Sequence, residues 1–283
     1  MNPMLWLNGR LLPASHSDAS VPVSDAGLLL GDGVFETLRT FGGRPFGLDE
    51  HYRRLCAGAS VFELGVPTEA EVATAIDDLL KANSLGTPGA EARIRITVTG
   101  GDRGLIPIPG QSSRPNVLIT ANRLVEITGN ASVVNVPFTR NPTSATAGIK
   151  TTSYAENALA LRYAKTRRAD EAILSDTRGN LSEGATSNLF VVLDGRLVTP
   201  PLTTGCLPGV TRSQVIQGAR EAGIEVHEEK APIDALATAD EAFLTSSLRG
   251  VQPILAVNNT PLSTCPGPVT EACAAALAKL LPE

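Results

Sequence analysis

Lysine is scarce in this chain: five among 283 residues, at positions 81, 150, 165, 230 and 279. The three histidines, His16, His51 and His227, lie too far apart for ligand spacing, which argues against a structural metal site. Four cysteines, Cys56, Cys206, Cys265 and Cys273, contain no CxxC pair. The start, MNPMLWLNGR, lacks the basic flank and long apolar core of a secretory leader, so the thiols are expected reduced and the protein cytoplasmic. No apolar run is long enough to span a membrane. Positive charge is also in deficit, with a formal net charge of -5, which argues against nucleic acid or an anionic membrane surface as main partner. With 42% hydrophobic residues, what remains is a globular enzyme or binding protein, long enough for two domains.

The first half carries clear local signals. Asn8-Gly9 between LWL and RLLPA predicts a hairpin. Val34 to Phe41 alternates and is rich in strand formers, and Gly42-Gly43 turns it back. From Leu48 to Val61 the apolar period becomes helical, with Leu55 and Ala59 on one face. Thr68 and Glu71 form a capping box for a helix through Lys81. Arg93 to Thr99 and Asn116 to Thr120 read as strands. This half is expected to be an antiparallel sheet with helices against it. The polar segment from Thr120 to Asn130 reads as an interdomain connection, giving an N-terminal domain over 1–122, a linker over 123–130 and a C-terminal domain over 131–283.

Three charged or glycine-rich stretches in this half have a bland and a sharp reading. Gly31-Asp32-Gly33 looks like a phosphate loop, but a strand follows it where a dinucleotide fingerprint needs a helix, so it is a turn. In His51-Tyr52-Arg53-Arg54-Leu55 the adjacent arginines point about 100° apart, so one can face inward, where it needs an anion such as phosphate. Gly100-Gly101-Asp102-Arg103-Gly104 is a surface turn, or a loop whose Arg103 meets a substrate carboxylate.

Lys150 differs from the other lysines. Small neutral residues surround it from Ser144 to Tyr154, just before a helix predicted over 154–168. Desolvation there favours the free amine, which attacks carbonyls; composition alone favours an ordinary surface lysine. Strands are expected at 132–136, 170–174 and 188–193, with a turn at Asp194-Gly195 leading to Arg196–Thr199. Glu183 follows a turn, and Gly209 precedes a helix starting near Thr211, whose N–H groups suit a phosphate. Singly, each is an ordinary turn residue or cap. Together with Lys150 they fit pyridoxal 5'-phosphate, which needs an amine for its aldehyde, an acid for its ring nitrogen and a cradle for its phosphate.

The chain resembles the class IV aminotransferases over nearly its whole length, from GDGVFETLR and HYRRL through GIKTTSYAEN to DEAFLTSS. Glu183, Asn188, Leu197-Val198-Thr199 and Leu207-Pro208-Gly209-Val210-Thr211-Arg212 meet every position of that family's signature. The resemblance implies an α/β (α+β), two-domain, fold-type IV architecture similar to D-amino-acid aminotransferase, with the cofactor at the domain interface. It implies Lys150 as Schiff-base lysine and proton shuttle, and Glu183 as partner of the pyridine nitrogen. Arg54, Val210, Thr211, Ser247 and the adjacent Ser246 become phosphate contacts, and Tyr154 a contact to the cofactor's phenolic oxygen. Substrate residues are expected around Phe35, Arg93, Arg95 and Arg103. Branched-chain members often carry Tyr-x-Arg-Pro where this chain has Arg93-Ile94-Arg95-Ile96. The implied reaction exchanges an amino group between an amino acid or (R)-amine and a 2-oxo acid, in a homodimer or larger homo-oligomer. The alternative is the lyase that forms 4-aminobenzoate and pyruvate from aminodeoxychorismate.

Overall fold

The computed structural model describes residues 3–85, 87, 89–103 and 114–282. The chain forms two compact units. The first runs to Val125 and includes Ile149–Tyr154; the second comprises Glu126–Gly148 and Ala155–Leu281. The segment bearing Lys150 therefore belongs to the first unit, although it follows the polar connection in sequence.

The first unit is built on a six-stranded antiparallel sheet of order β2-β1-β6-β5-β3-β4. The strands are β1 (Met4–Leu7), β2 (Arg10–Pro13), β3 (Gly33–Phe41), β4 (Arg44–Pro45), β5 (Ala92–Thr99) and β6 (Asn116–Arg123). Asn8 and Gly9 join the first hairpin with φ of 49° and 87°, both positive as a tight turn of matching twist requires. A short helix, α1 (Ala26–Leu29), precedes β3. Then α2 (Leu48–Val61) buries His51, Leu55, Gly58 and Ala59, one stripe at helical spacing. The capping box of α3 (Glu69–Ala82) is complete, with the Thr68 hydroxyl accepting from the Glu71 N–H and the Glu71 carboxylate accepting from the Thr68 N–H.

These helices pack Leu55, Ile76 and Leu79 against Leu38, Ile94, Ile96 and Ile119 of the sheet. Each such fully buried aliphatic side chain contributes about 1.5–3 kcal/mol. Strand side chains alternate, so β3 and β5 send Phe35, Arg39, Arg93, Arg95 and Thr97 to the opposite face.

The second unit holds a nine-stranded mixed sheet of order β12-β11-β10-β13-β14-β7-β8-β9, with β15 against β14. Its strands are β7 (Ala131–Arg140), β8 (Glu171–Asp176), β9 (Leu181–Gly184), β10 (Asn188–Leu193), β11 (Arg196–Thr199), β12 (Val226–Glu228), β13 (Glu241–Ser246), β14 (Gly250–Val257) and β15 (Thr260–Pro261). The β11/β12, β14/β7 and β7/β8 pairs are parallel and the rest antiparallel. Three helices pack here: α4 (Ala155–Thr166), α5 (Val210–Glu221) and α6 (Pro268–Ala278).

The central strands are covered on both faces. On one, the stacked rings of Phe190 and Phe243, 4.8 Å apart, meet Val215 and Ala219 of α5 and Cys273 and Leu277 of α6. On the other, Leu189, Val191 and Leu244 pack with Leu236. Among the described residues, no helix is long and apolar enough to cross a membrane.

Candidate active site

In the first unit, residues 150–152 add onto the start of β3. The Phe35 N–H donates to the Lys150 carbonyl at 2.9 Å, and the Thr152 N–H donates to the Gly33 carbonyl at 2.8 Å. This backbone pairing sets the half-buried Lys150 beside Phe35, with Nζ 4.6 Å from the ring centroid. Tyr154 meets the same ring edge-on at 5.4 Å. The Arg95 guanidinium lies over it at 3.7 Å. Arg95 is exposed by area, yet packing against Phe35 strips part of its hydration. That burial, together with Arg93 and against the opposing effect of Tyr154, lowers its pKa. Lys150, Phe35, Tyr154 and Arg95 thus gather in one place, with exposed Arg93 two residues along the same strand face.

The paired arginines of α2 divide as the helical geometry requires. Arg53 is exposed and pairs with Asp49, whereas Arg54 turns inward. There its Nε and Nη2 each donate to the Glu36 carboxylate at 2.7 Å. His51 Nδ1 lies 2.7 Å from the same carboxylate. Glu36 is fully buried and His51 is 2% exposed. Burial pushes the Glu36 carboxyl up, but hydrogen bonds from Arg54 and His51 and their charges outweigh it and hold it at about 2. Glu36 sits between Val34 and Leu38 on the core-facing side of β3. A carboxylate on an apolar strand face must have buried partners, and that was the available signal for this cluster.

Arg103 is anchored within the first unit. Its Nη1 is 3.4 Å from Asp32 and donates to the Phe62 carbonyl at 3.0 Å, while Nη2 donates to the Glu63 carbonyl at 2.9 Å. The guanidinium fastens its own loop to the turn before β3 and the end of α2, and does not join the Phe35 cluster. Gly104, which ends that loop in the sequence reading, lies outside the described residues.

In the second unit, Glu183 on β9 is 7% exposed. Its Oε2 accepts the Leu207 N–H at 2.9 Å. Arg140 Nε, at the end of β7, lies 3.0 Å from Oε1, at an angle that makes an ion pair without a well-formed hydrogen bond. Arg140 had no local sequence signal, because a strand-end arginine finds its carboxylate only through the fold. The Leu207 carbonyl accepts from the Asn188 amide at 2.8 Å. Gly209 then opens α5 with no capping side chain and no acid in the first turn, so the N–H groups at Val210 and Thr211 begin a helix whose positive end is uncompensated. In the β13–β14 turn, the Ser246 hydroxyl accepts the Arg249 N–H at 3.3 Å, which leaves its own O–H able to donate, and Ser247 follows it. The Cys206 thiol, 1% exposed, is pushed up to about 11 by burial first and then by Glu183, so it stays protonated.

These donors fit pyridoxal phosphate chemically. A placed amine, a buried carboxylate with fixed orientation and an uncapped helix start are the groups its aldehyde, ring nitrogen and phosphate require. When bound, this cofactor withdraws electrons from the substrate α-carbon, easing departure of its proton.

Comparison with known proteins agrees. Residues 33–257 match the family model for amino-transferase class IV. A putative branched-chain-amino-acid aminotransferase of Methanocaldococcus jannaschii is 34% identical over 258 residues, 90% of this chain and 88% of its own length. Aminodeoxychorismate lyase of Bacillus subtilis is 30% identical over 274 residues, 95% of this chain and 92% of its own. The crystal structure of Escherichia coli branched-chain amino acid aminotransferase matches with a TM-score of 0.90 at 30% identity, covering 99% of this chain and 95% of that one. The chain has the fold-type IV architecture and belongs to the class IV aminotransferases, a family of pyridoxal-phosphate-dependent enzymes.

Proposed function

We propose that this enzyme uses pyridoxal 5'-phosphate to exchange an amino group between an amino acid or (R)-amine and a 2-oxo acid. The carrying observation is the Lys150 amine and the Arg95 guanidinium sharing one aromatic ring, Phe35. An amine that handles the α-proton needs the substrate held beside it, and a fixed guanidinium is suited to a substrate carboxylate. In this reading Lys150 binds the cofactor aldehyde and carries the proton. Tyr154 donates to the phenolic oxygen, Glu183 accepts from the ring nitrogen, and Arg54, Val210, Thr211, Ser246 and Ser247 hold the phosphate.

The test is a panel of L- and D-amino acids and amines mixed with the purified, cofactor-loaded protein, followed by absorbance. At least one donor should convert the cofactor to its amine form, and a 2-oxo acid should restore it. Failure of every donor would sink the proposal. Arg95→Gln is expected to raise KM for carboxylate-bearing donors about 10- to 100-fold, the worth of a charged hydrogen bond, and to leave KM for simple amines unchanged. Equal effects on both would remove Arg95 from this role.

The second reading is aminodeoxychorismate lyase. The observation favouring it is the pair Arg93 and Arg95 on one strand face. Its two products, 4-aminobenzoate and pyruvate, each carry a carboxylate, so its substrate carries two. Release of both products without an added amino acceptor decides for this reading.

We further read the chain as a cytoplasmic homodimer. Supporting the assembly are Val23 and Leu28, 83% and 69% exposed in the stretch before β3. Supporting the compartment are four free cysteines. A molar mass in solution near twice 29.5 kDa is the expected result.

A further inference from the structure

The backbone of one residue, Leu207, links Asn188 to Glu183. The Asn188 amide donates to the Leu207 carbonyl at 2.8 Å, and the Leu207 N–H donates to Glu183 Oε2 at 2.9 Å. Asn188 is 6% exposed at the start of β10, where its backbone is in register with Thr245 of β13. It is therefore fixed to the centre of the sheet, whereas Leu207 sits in an irregular segment between β11 and α5. Asn188 is also gripped from beyond Leu207: a side chain at Gly209 would bring a Cβ within 2.0 Å of Asn188 Oδ1. Only glycine lets the chain close over this amide. On the far side of the carboxylate, Arg140 Nε stands 3.0 Å from Oε1.

The Leu207 N–H is a directional donor to Glu183. A carboxylate rotates readily about its terminal torsion, so a well-aimed N–H biases which way its lone pairs point. That N–H lies in the Cys206–Leu207 peptide plane and the carbonyl held by Asn188 in the Leu207–Pro208 plane; the two meet at the Leu207 Cα, so holding the carbonyl restricts the backbone torsions that aim the N–H. We propose that Asn188 is a positioning residue for Glu183: by holding the backbone at Leu207 it orients the carboxylate toward the cofactor's ring nitrogen. This rests on the reading that Glu183 partners that nitrogen. It gives the asparagine and glycine of the signature a shared physical task, distinct from binding the phosphate.

The test compares two ligands that differ only at the ring nitrogen: pyridoxal phosphate and its 1-deaza analogue, in which C–H replaces the nitrogen. Affinity for each is measured by titrating the apoenzyme of the wild type, Glu183→Gln, Asn188→Ala and Asn188→Ser. The wild type should prefer the natural cofactor by about 10- to 100-fold, the worth of a hydrogen bond to an ionised group. Asn188→Ala should lose most of this preference, retaining about threefold or less, while affinity for the analogue changes little. Asn188→Ser keeps a small polar side chain and provides the same comparison if the alanine variant does not fold. Any general loosening of the phosphate cradle weakens both ligands equally and cancels in the ratio. If Glu183→Gln keeps the wild-type preference, the ring-nitrogen reading is what fails. If Glu183→Gln loses it and the folded Asn188 variant keeps it, the positioning role is overturned.

Discussion

Lys150→Ala is expected to lower amino-group transfer by at least about 10³- to 10⁴-fold while leaving the fold intact. The large loss follows from removing the only group proposed both to bind the cofactor aldehyde and to carry the α-proton; a positioned acid–base group alone is worth about 10²- to 10⁴-fold. The intact fold follows from how the segment is anchored. The Phe35 N–H bonds to the Lys150 carbonyl and the Thr152 N–H to the Gly33 carbonyl, and both bonds are independent of the residue 150 side chain. The loss includes the contact of a half-buried amine with the Phe35 ring, 4.6 Å from its centroid, worth about 0.5–1 kcal/mol. Kinetics and thermal denaturation should thus separate, with activity lost and the midpoint moving by only a few degrees. The yellow colour of the loaded protein should fall with the activity, because the cofactor is no longer held covalently. Lys150→Arg keeps the charge but lacks a nucleophilic amine, and it should be as inactive as the alanine variant. Turnover above a tenth of wild type in either would exclude Lys150 from the chemistry.

Legibility in the sequence followed how local each cause was. The Asn8-Gly9 hairpin, the Leu48–Val61 helix and the Thr68–Glu71 capping box rest on neighbours a few residues apart, and all three stand where their patterns put them. The division of labour between Arg53 and Arg54 was likewise implicit in helical geometry. Less was visible wherever a residue's meaning depends on a distant partner. Glu36 acquires its role from Arg54, eighteen residues on, and Glu183 meets Arg140 across the β7–β9 region. Arg103 looked available in a glycine-rich loop, but carbonyls at the end of α2 take its guanidinium. The placement of Lys150 with the first unit could not be read from a chain order that sets it well beyond the polar connection. In the signature, the family pattern marked Asn188 and Gly209 without a reason; the close approach of one to the other supplies it.

Glu36→Gln is expected to be the most destabilising single substitution in this cluster, by about 3–5 kcal/mol in the cofactor-free protein, because it takes the carboxylate from a largely buried arginine. The Arg54 side chain is 13% exposed and directs two nitrogens at Glu36, and His51 is 2% exposed beside it. Glutamine preserves the shape but offers one carbonyl oxygen to donors that now meet two carboxylate oxygens. For a chain of this size the loss corresponds to a fall of about 6–20 °C in the melting midpoint. The pH dependence follows from the carboxyl being lowered from 4.5 to about 2 in the folded protein. A group with a depressed folded-state pKa stabilises above its unfolded value and loses that contribution as pH falls. The wild-type advantage from this ionisation, about 3 kcal/mol by linkage, should therefore be complete above pH 4.5 and decline between 4.5 and about 2. Glutamine does not titrate, so the stability difference between wild type and Glu36→Gln should narrow across that window. Denaturant unfolding of both proteins from pH 2 to 6 measures it. Parallel curves through the acid range would mean that Glu36 is not the anion these two bases share.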